Sequence, residues 1–192
     1  MAKMKQKPAA KKSSVAKSKS TGRAKKQADI IQLIMEDHKP LKRLIKVLKK
    51  PENSFDMRMK AFTEFAELLV NHAKPEELSL YVNMKQDEDM RSEALEGDVE
   101  HGLADQLLEE IKRTEDEDMW TAKVKVLAEL VEHHIEEEEE ELLPDYRKNS
   151  EIDERIELGQ KYLDLKTKMA EEGNDDAPSE KTMKSTEFRP QH

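Results

Sequence analysis

A repeated spacing of histidine and glutamate constrains the fold of this chain more than any other feature. His72 and Glu76 lie four residues apart, and the same spacing separates His134 from Glu138. Both segments read H-x-x-x-E-E-x-x-L and continue with a large side chain. Residues four apart project from one face of an α-helix, one turn apart. Each segment therefore predicts a helix that carries an imidazole and a carboxylate on the same face.

An acidic residue followed by histidine precedes each of these segments. The Asp37-His38 pair places its histidine 34 residues before His72. The Glu100-His101 pair places its histidine 33 residues before His134. The chain therefore contains an internal repeat of a helix pair, with one histidine on the first helix and His-x-x-x-Glu on the second.

All six of these positions fall on apolar stripes whose steps of mostly three and four residues are typical of amphipathic helices. The four stripes run over Ile31, Ile34, His38, Leu41, Ile45 and Leu48; over Phe55, Phe62, Phe65, Leu69, His72, Glu76 and Leu80; over Met90, Ala94, Gly97, His101, Ala104, Leu108 and Ile111; and over Trp120, Val124, Leu127, Val131, His134, Glu138 and Leu142. The spacing alone thus predicts an all-α helical bundle with two histidines and one glutamate from each half.

Imidazoles and carboxylates on core-facing stripes are costly unless they share a partner, and a metal ion is the natural candidate. The candidate ligands are His38, His72, Glu76, His101, His134 and Glu138. The chain has no cysteine, which excludes thiolate zinc sites, iron–sulfur clusters and cysteine nucleophiles. Six nitrogen and oxygen donors suit iron or manganese better than a closed zinc site. A structural duplication without metal is the alternative.

This pattern resembles the hemerythrin-like domain in its His/His/Glu cation-binding form, over residues 28–147. The resemblance implies an antiparallel up-down four-helix bundle around a non-haem iron centre. It implies a di-iron centre, with mononuclear iron or manganese as alternatives. Two histidines would bind each ion, and Glu76 and Glu138 would bridge the two ions.

Oxygen-carrying members of that family differ from this chain in two respects. They typically carry a fifth histidine, in a His-x-x-x-His pair on the third helix, where this chain has Gly97 and Asp105 four residues either side of His101. Their second bridge is an Asp five residues from its histidine, where this chain has Glu at four. Both departures count against reversible oxygen carriage.

Three classes of function follow from this interpretation. The first is a metal-binding protein that binds, senses or stores iron or a diatomic gas such as dioxygen. The second is an iron-dependent redox enzyme that acts on peroxide or ferrous iron, although the sequence shows no additional general acid. The third is a scaffold or polyanion-binding protein that acts through its N-terminal arm.

The formal charge of −9 is divided unevenly along the chain. Residues 1–27 contain ten Lys or Arg and no acid, so the remainder carries −19. This basic arm is predicted to be disordered, and it acts either as a solubilising tail or as a weak, nonspecific contact to nucleic acid or another polyanion. No apolar run approaches the roughly 20 residues of a membrane span, and no apolar segment typical of a secretory signal follows the N-terminal lysines. A cytoplasmic protein without membrane contact is therefore expected.

Beyond the bundle of residues 28–147, an additional helix is expected over residues 148–170 and a flexible polar tail over residues 171–192. The apolar positions of the additional helix would be Ile152, Ile156, Leu163 and Met169.

Several local features carry their own expectations. Asn53 or Ser54 is expected to cap the second helix, and Thr114 to open the fourth helix as part of a capping box. Gly97 and Ala104 flank His101, where small residues leave room for an exogenous ligand or permit close approach of helices. His133 is interpreted as a surface group or as a support for a ligand.

Overall fold

The computed structural model describes residues 28–175. The predicted basic arm, residues 1–27, and residues 176–192 of the predicted tail lie outside the described residues. The described part of the chain is helical and contains no strand. Its α-helices are α1 (Ile30–Lys49), α2 (Phe55–Glu76), α3 (Val82–Met84), α4 (Arg91–Lys112), α5 (Glu117–Glu137), α6 (Leu143–Asn149) and α7 (Ile152–Asp175). Two π-helical segments, Glu77–Tyr81 and Glu138–Leu142, join α2 to α3 and α5 to α6.

One helix cap predicted from the sequence is confirmed and another is wrong. The Ser54 hydroxyl accepts a hydrogen bond from the Met57 amide, so Ser54 caps α2 as expected. The expected cap at Thr114 is wrong, because Asp116 caps α5 and accepts from the Met119 amide. Thr114 instead donates its hydroxyl to the Glu110 carbonyl at the end of α4. The Thr114 side chain therefore provides a hydrogen bond to a carbonyl group at the end of the preceding helix, α4.

Two apolar clusters form the core and are separated by a layer of histidine and glutamate. The first contains Leu41, Leu69, Ala104 and Val131 among others. The second contains Ile34, Leu80, Ala94 and Leu142 among others. Full burial of a large apolar side chain stabilises the fold by about 1.5–3 kcal/mol. The two clusters therefore hold the polar layer in place from both sides.

The fifth long helix, α7, packs against α1 and α2. It is seated by Arg155, whose Nε lies 3.0 Å from Asp29 Oδ2, and by Gly159, where a Cβ would lie 2.0 Å from the Ala28 carbonyl oxygen. The apolar face expected for this helix is wrong at Ile152 and Leu163, which are 49% and 37% exposed, whereas Ile156 and Met169 are partly buried. Polar contacts and close backbone approach help to position α7, and Tyr162 and Leu158 join the second apolar cluster.

Residues 171–175, expected in the polar tail, continue α7 to Asp175. Within residues 28–175, each helix is too short or too polar to cross a lipid bilayer.

Candidate metal centre

The six residues predicted as ligands meet in the layer between the two apolar clusters, and each is at most 5% exposed. His38 and His72 come from α1 and α2, His101 and His134 from α4 and α5, and the two glutamates from the ends of α2 and α5. The inner contacts are His38 Nε2 to Glu138 Oε2 at 3.2 Å, His72 Nε2 to Glu76 Oε2 at 3.3 Å, His134 Nε2 to Glu138 Oε2 at 3.6 Å, and His101 Nε2 to His134 Nε2 at 2.9 Å.

Each imidazole turns Nε2 inward and places Nδ1 near a peripheral oxygen. His38 Nδ1 lies 3.1 Å from Glu139 Oε1, and His101 Nδ1 lies 3.2 Å from Glu77 Oε1. These two contacts cross between the halves of the repeat. Glu77, which follows the glutamate of the first half, supports the His101 ring of the second half, and Glu139 does the reverse for His38. Carboxylates at Nδ1 fix the tautomer and orientation of a histidine and leave Nε2 free for a metal.

The remaining two histidines are supported differently from each other. His134 Nδ1 lies 2.6 Å from Glu100 Oε2. The corresponding acid in the first half, Asp37, is one methylene shorter and remains 3.9 Å from His72 Nδ1. The hydroxyl of Tyr162 fills this gap, 3.2 Å from His72 Nδ1 and donating to Asp37 Oδ2 at 2.5 Å.

The centre contains buried polar atoms that have no hydrogen-bond partner among the described residues. These are Nε2 of His38 and His72, Nδ1 of His101, both carboxylate oxygens of Glu76, and Oε2 of Glu138. Each such group costs about 1–3 kcal/mol when it stays unpaired. The ligand atoms lie within 4.8 Å of one another in three sets, which are His38, His72 and Glu138; His72, Glu76 and His101; and Glu76, His134 and Glu138. The donor set and its unpaired atoms therefore fit a metal cation.

The two glutamates of the centre have pKa values that are shifted in opposite directions. Burial raises the pKa of Glu76 well above its usual value, and the Glu138 charge adds to this effect. Burial also disfavours ionised Glu138, but His134 and His38 outweigh it and hold the pKa of Glu138 below its usual value. Burial, followed by repulsion from His38, lowers the pKa of His72 well below its usual value. The surroundings thus shift the pKa values of the two carboxyl groups in opposite directions.

Tyr81 is a member of the centre that the sequence reasoning missed. Its hydroxyl donates to Glu138 Oε1 at 2.6 Å, and its ring stacks on His101 with centroids 5.4 Å apart. A Cβ at Gly97 would lie 2.6 Å from the Tyr81 oxygen. Gly97 therefore makes room for Tyr81, and it also lines a small cavity beside the centre. Burial raises the pKa of Tyr81 well above its usual value, so the phenol remains a donor.

Both glutamates of the centre lie where an α-helix gives way to a π-helical segment. Glu76 is the last residue of α2, and Glu138 is the first of the second π-helical segment. A π-turn is wider than an α-turn by one residue and is frequent at functional sites. In the first π-helical segment, Glu77–Tyr81, the wider turn directs consecutive residues inward, since Leu80 and Tyr81 are both fully buried.

A cavity of about 90 Å³ reaches the centre between α4 and α5 and is lined by Glu100, His134 and Glu138 among others. A larger surface depression of about 700 Å³, between Gly102 and Lys123, includes none of the six central residues. His133 is exposed and contacts Glu137, with its Nε2 3.3 Å from Oε1. It therefore belongs to the surface beside the cavity.

A family model described as the hemerythrin HHE cation binding domain matches residues 29–146. The match begins at the cap of α1 and ends within α6, so it includes all six central residues and leaves α7 outside. Comparison with curated proteins and with solved structures gave no significant match.

Proposed function

The chain belongs to the hemerythrin HHE cation-binding family, and from that premise we propose that it holds a non-haem di-iron centre that binds, senses or stores iron or a diatomic ligand such as dioxygen. The observation that carries the proposal is the inward Nε2 of all four histidines together with the unpaired oxygens of Glu76 and Glu138. Nitrogen and oxygen donors in this proportion suit iron or manganese.

Each half of the repeat supplies two imidazoles to one ion in this proposal. His38 and His72 would hold the first ion and His101 and His134 the second, and the carboxylates of Glu76 and Glu138 would be shared between the two sites. The peripheral acids, and the Tyr162 hydroxyl in the case of His72, favour a histidine proton on Nδ1, so that each Nε2 can offer its lone pair to the centre. Iron bound here supplies reversible electron transfer and open positions for a small ligand.

We also infer the antiparallel up-down arrangement of four helices. Along α1 the chain passes from the second apolar cluster, through the polar layer, to the first cluster. Along α2 it passes in the opposite order, and α4 and α5 repeat this alternation. Such alternation is the signature of an up-down bundle with short connections.

The size of the cavity supports a small ligand over an organic substrate. Sites for drug-sized organic molecules measure about 300–1,000 Å³. The cavity that reaches His134 and Glu138 measures about 90 Å³. A diatomic molecule, a peroxide or a partly dehydrated cation fits this space.

Metal analysis tests the proposal directly. Protein produced in iron-supplemented medium is expected to carry stoichiometric iron and to show a near-ultraviolet absorption band typical of oxygen-bridged iron pairs. Chelator-stripped protein should regain both signals when ferrous iron and air are returned. Protein that never binds iron or manganese in stoichiometric amounts would reject the proposal.

A second candidate function, peroxide reduction, is favoured by Tyr81. Its protonated hydroxyl lies 2.6 Å from Glu138 Oε1 and provides the general acid that the sequence analysis did not find. Loss of this proton donor in Tyr81→Phe should slow peroxide reduction about 10²-fold or more in protein loaded with ferrous iron, which supplies the electrons. Consumption by the unmodified protein no faster than by free iron would eliminate this candidate.

A further inference from the structure

The cavity beside the centre carries an excess of negative charge. Its rim and walls include five carboxylates, from Glu93, Glu96, Glu100, Glu137 and Glu141, and no lysine or arginine lines it. Within residues 28–175, the carboxylates of Glu93, Glu96 and Glu141 make no ion pair. We name this space, with these five residues, the acidic cavity.

The inner end of the acidic cavity is an acceptor for a cation. Glu138 lines it, its side chain is 2% exposed, and its Oε2 accepts no hydrogen bond from a described residue. Because Oε1 is already held by the Tyr81 hydroxyl, Oε2 is the atom that remains for an arriving ion. The wall of glutamates therefore leads to an unpaired, buried carboxylate oxygen.

We propose that the acidic cavity is the path by which the metal cation reaches the centre, and that its charge admits cations while excluding anions. This inference rests on the proposed function, because it describes access to the same site. A cleft lined by one sign of charge raises the local concentration of the opposite ion and its association rate by about 10–10³-fold.

Beside the acidic cavity, Glu100 and Glu137 of its lining lie close to His133, and the three side chains together could hold a cation. Potential ligand atoms of Glu100, His133 and Glu137 lie within 4.8 Å of one another. Glu100 also contacts His134 Nδ1 at 2.6 Å, so it touches both this outer group and the centre. An ion held by this outer group would therefore be separated from His134 of the centre by Glu100 alone.

The acidic cavity is too small for a fully hydrated divalent cation. Water occupies about 30 Å³ per molecule, so a space of about 90 Å³ holds roughly three waters. A hydrated divalent cation must lose part of its shell to pass, and carboxylate oxygens replace the lost waters. On the side of His72, by contrast, Tyr162 covers the ring and Lys166 places a fixed cation beside Asp37.

Cobalt uptake by chelator-stripped protein tests the path, because Co²⁺ changes its visible absorption when it enters a nitrogen and oxygen site. The test protein is the Glu96→Gln/Glu141→Gln double variant, which removes two charges from the acidic cavity and keeps side-chain size. Neither residue contacts a central histidine. The matched control is Glu136→Gln/Glu140→Gln, which makes the same charge change at exposed positions outside the cavity.

Stopped-flow mixing is expected to show equal final cobalt content in all three proteins. The association rate of the cavity variant should fall by roughly threefold to tenfold at low ionic strength, while the control keeps the rate of the unmodified protein. The difference should shrink as salt is added. Equal rates for cavity variant and control would overturn the path and leave the metal centre intact. Unmodified protein that takes up neither cobalt nor iron at equilibrium would overturn both the path and the proposed function.

Discussion

The Tyr162 hydroxyl on α7 lies 3.2 Å from Nδ1 of His72 on α2. In the second half of the repeat Glu100 reaches His134 directly, whereas Asp37 is too short to do the same for His72. A helix outside the repeat therefore completes the first half of the centre.

We expect Tyr162→Phe to lower metal affinity about 10–100-fold, because the His72 ring loses its oriented hydrogen-bond partner. Adding Asp37→Glu should restore part of the affinity, since the longer side chain can reach His72 as Glu100 reaches His134. Chelator competition measures both effects. Tyr146→Phe serves as the control, because the Tyr146 hydroxyl bonds Asn83 and contacts no central histidine. Equal losses in the two phenylalanine variants would show that the effect is general to the core.

Removing either central carboxylate should remove metal. Glu76→Gln and Glu138→Gln each replace a buried, negatively charged donor by a neutral amide, which cannot offset the charge of two cations. Both variants are expected to show reduced iron content by elemental analysis after equilibration with excess iron. Glu140→Gln, at an exposed position of the same acidic run, should keep full content. A normal iron content in Glu138→Gln would remove this residue from the site.

The stability of the metal-free protein should depend on the ionisation of Glu76. Burial raises its folded-state pKa above the unfolded value of about 4.3. Its contribution to stability is therefore complete below about pH 4.3 and is lost as pH rises through the raised folded pKa. Chelator-treated protein should lose free energy of unfolding towards alkaline pH, and Glu76→Gln, which cannot ionise, should lose less. Urea unfolding across pH measures the difference, and parallel profiles for the two proteins would contradict the assignment.

The two glutamates are expected to affect the stability of the metal-free protein differently. The pKa of Glu138 is held below its usual value by His134 and His38, so its ionised form stabilises the metal-free protein at neutral pH. Glu138→Gln should therefore destabilise the metal-free protein at pH 7, where Glu76→Gln should not. Both variants can be compared in the same unfolding experiment.

Substitution of Gly97 should disturb the packing of Tyr81. An alanine there would place Cβ 2.6 Å from the Tyr81 oxygen and 2.7 Å from the nearest ring carbons. We expect Gly97→Ala to lower the free energy of unfolding by about 1–3 kcal/mol. Gly102→Ala on the same helix meets no atom within 4 Å and should stabilise the protein by up to about 1 kcal/mol through helix propensity. The loss at Gly97 should be smaller in a Tyr81→Leu background, and additive losses would show that the two residues do not compete for this space.

The inward face of each bundle helix could be predicted from the sequence because burial imposes a period that the residues themselves display. His38, His72, His101 and His134 all lie on the predicted faces and all are buried. Their supporting acids could not be predicted in this way. Glu77 and Glu139 look like members of charged runs, and only the packing of one helix pair against the other brings them to His101 and His38.

Tyr81 shows a different limit of sequence reasoning. It lies five residues after Glu76, off the predicted stripe, and faces inward because a π-helical segment follows α2. The repeat contained a usable signal, since Tyr81 corresponds to Leu143 and thus adds a hydroxyl to one half only. Tyr162 gave no such signal, because α7 has no counterpart in the repeat.

The crossed contacts of Glu77 and Glu139 have a consequence for symmetry. Each helix pair supports the histidine of the other, His101 in one case and His38 in the other, so the two pairs exchange equivalent contacts. Because each helix pair uses the same positions to contact the other, their shared surface is self-complementary, as in a twofold-symmetric dimer. Two copies of a single helix pair, unlinked and related by a twofold axis, could make the same contacts. The covalent connection between α3 and α4 frees the two copies to diverge, and Asp37 with Tyr162 in place of a longer acid is one such divergence.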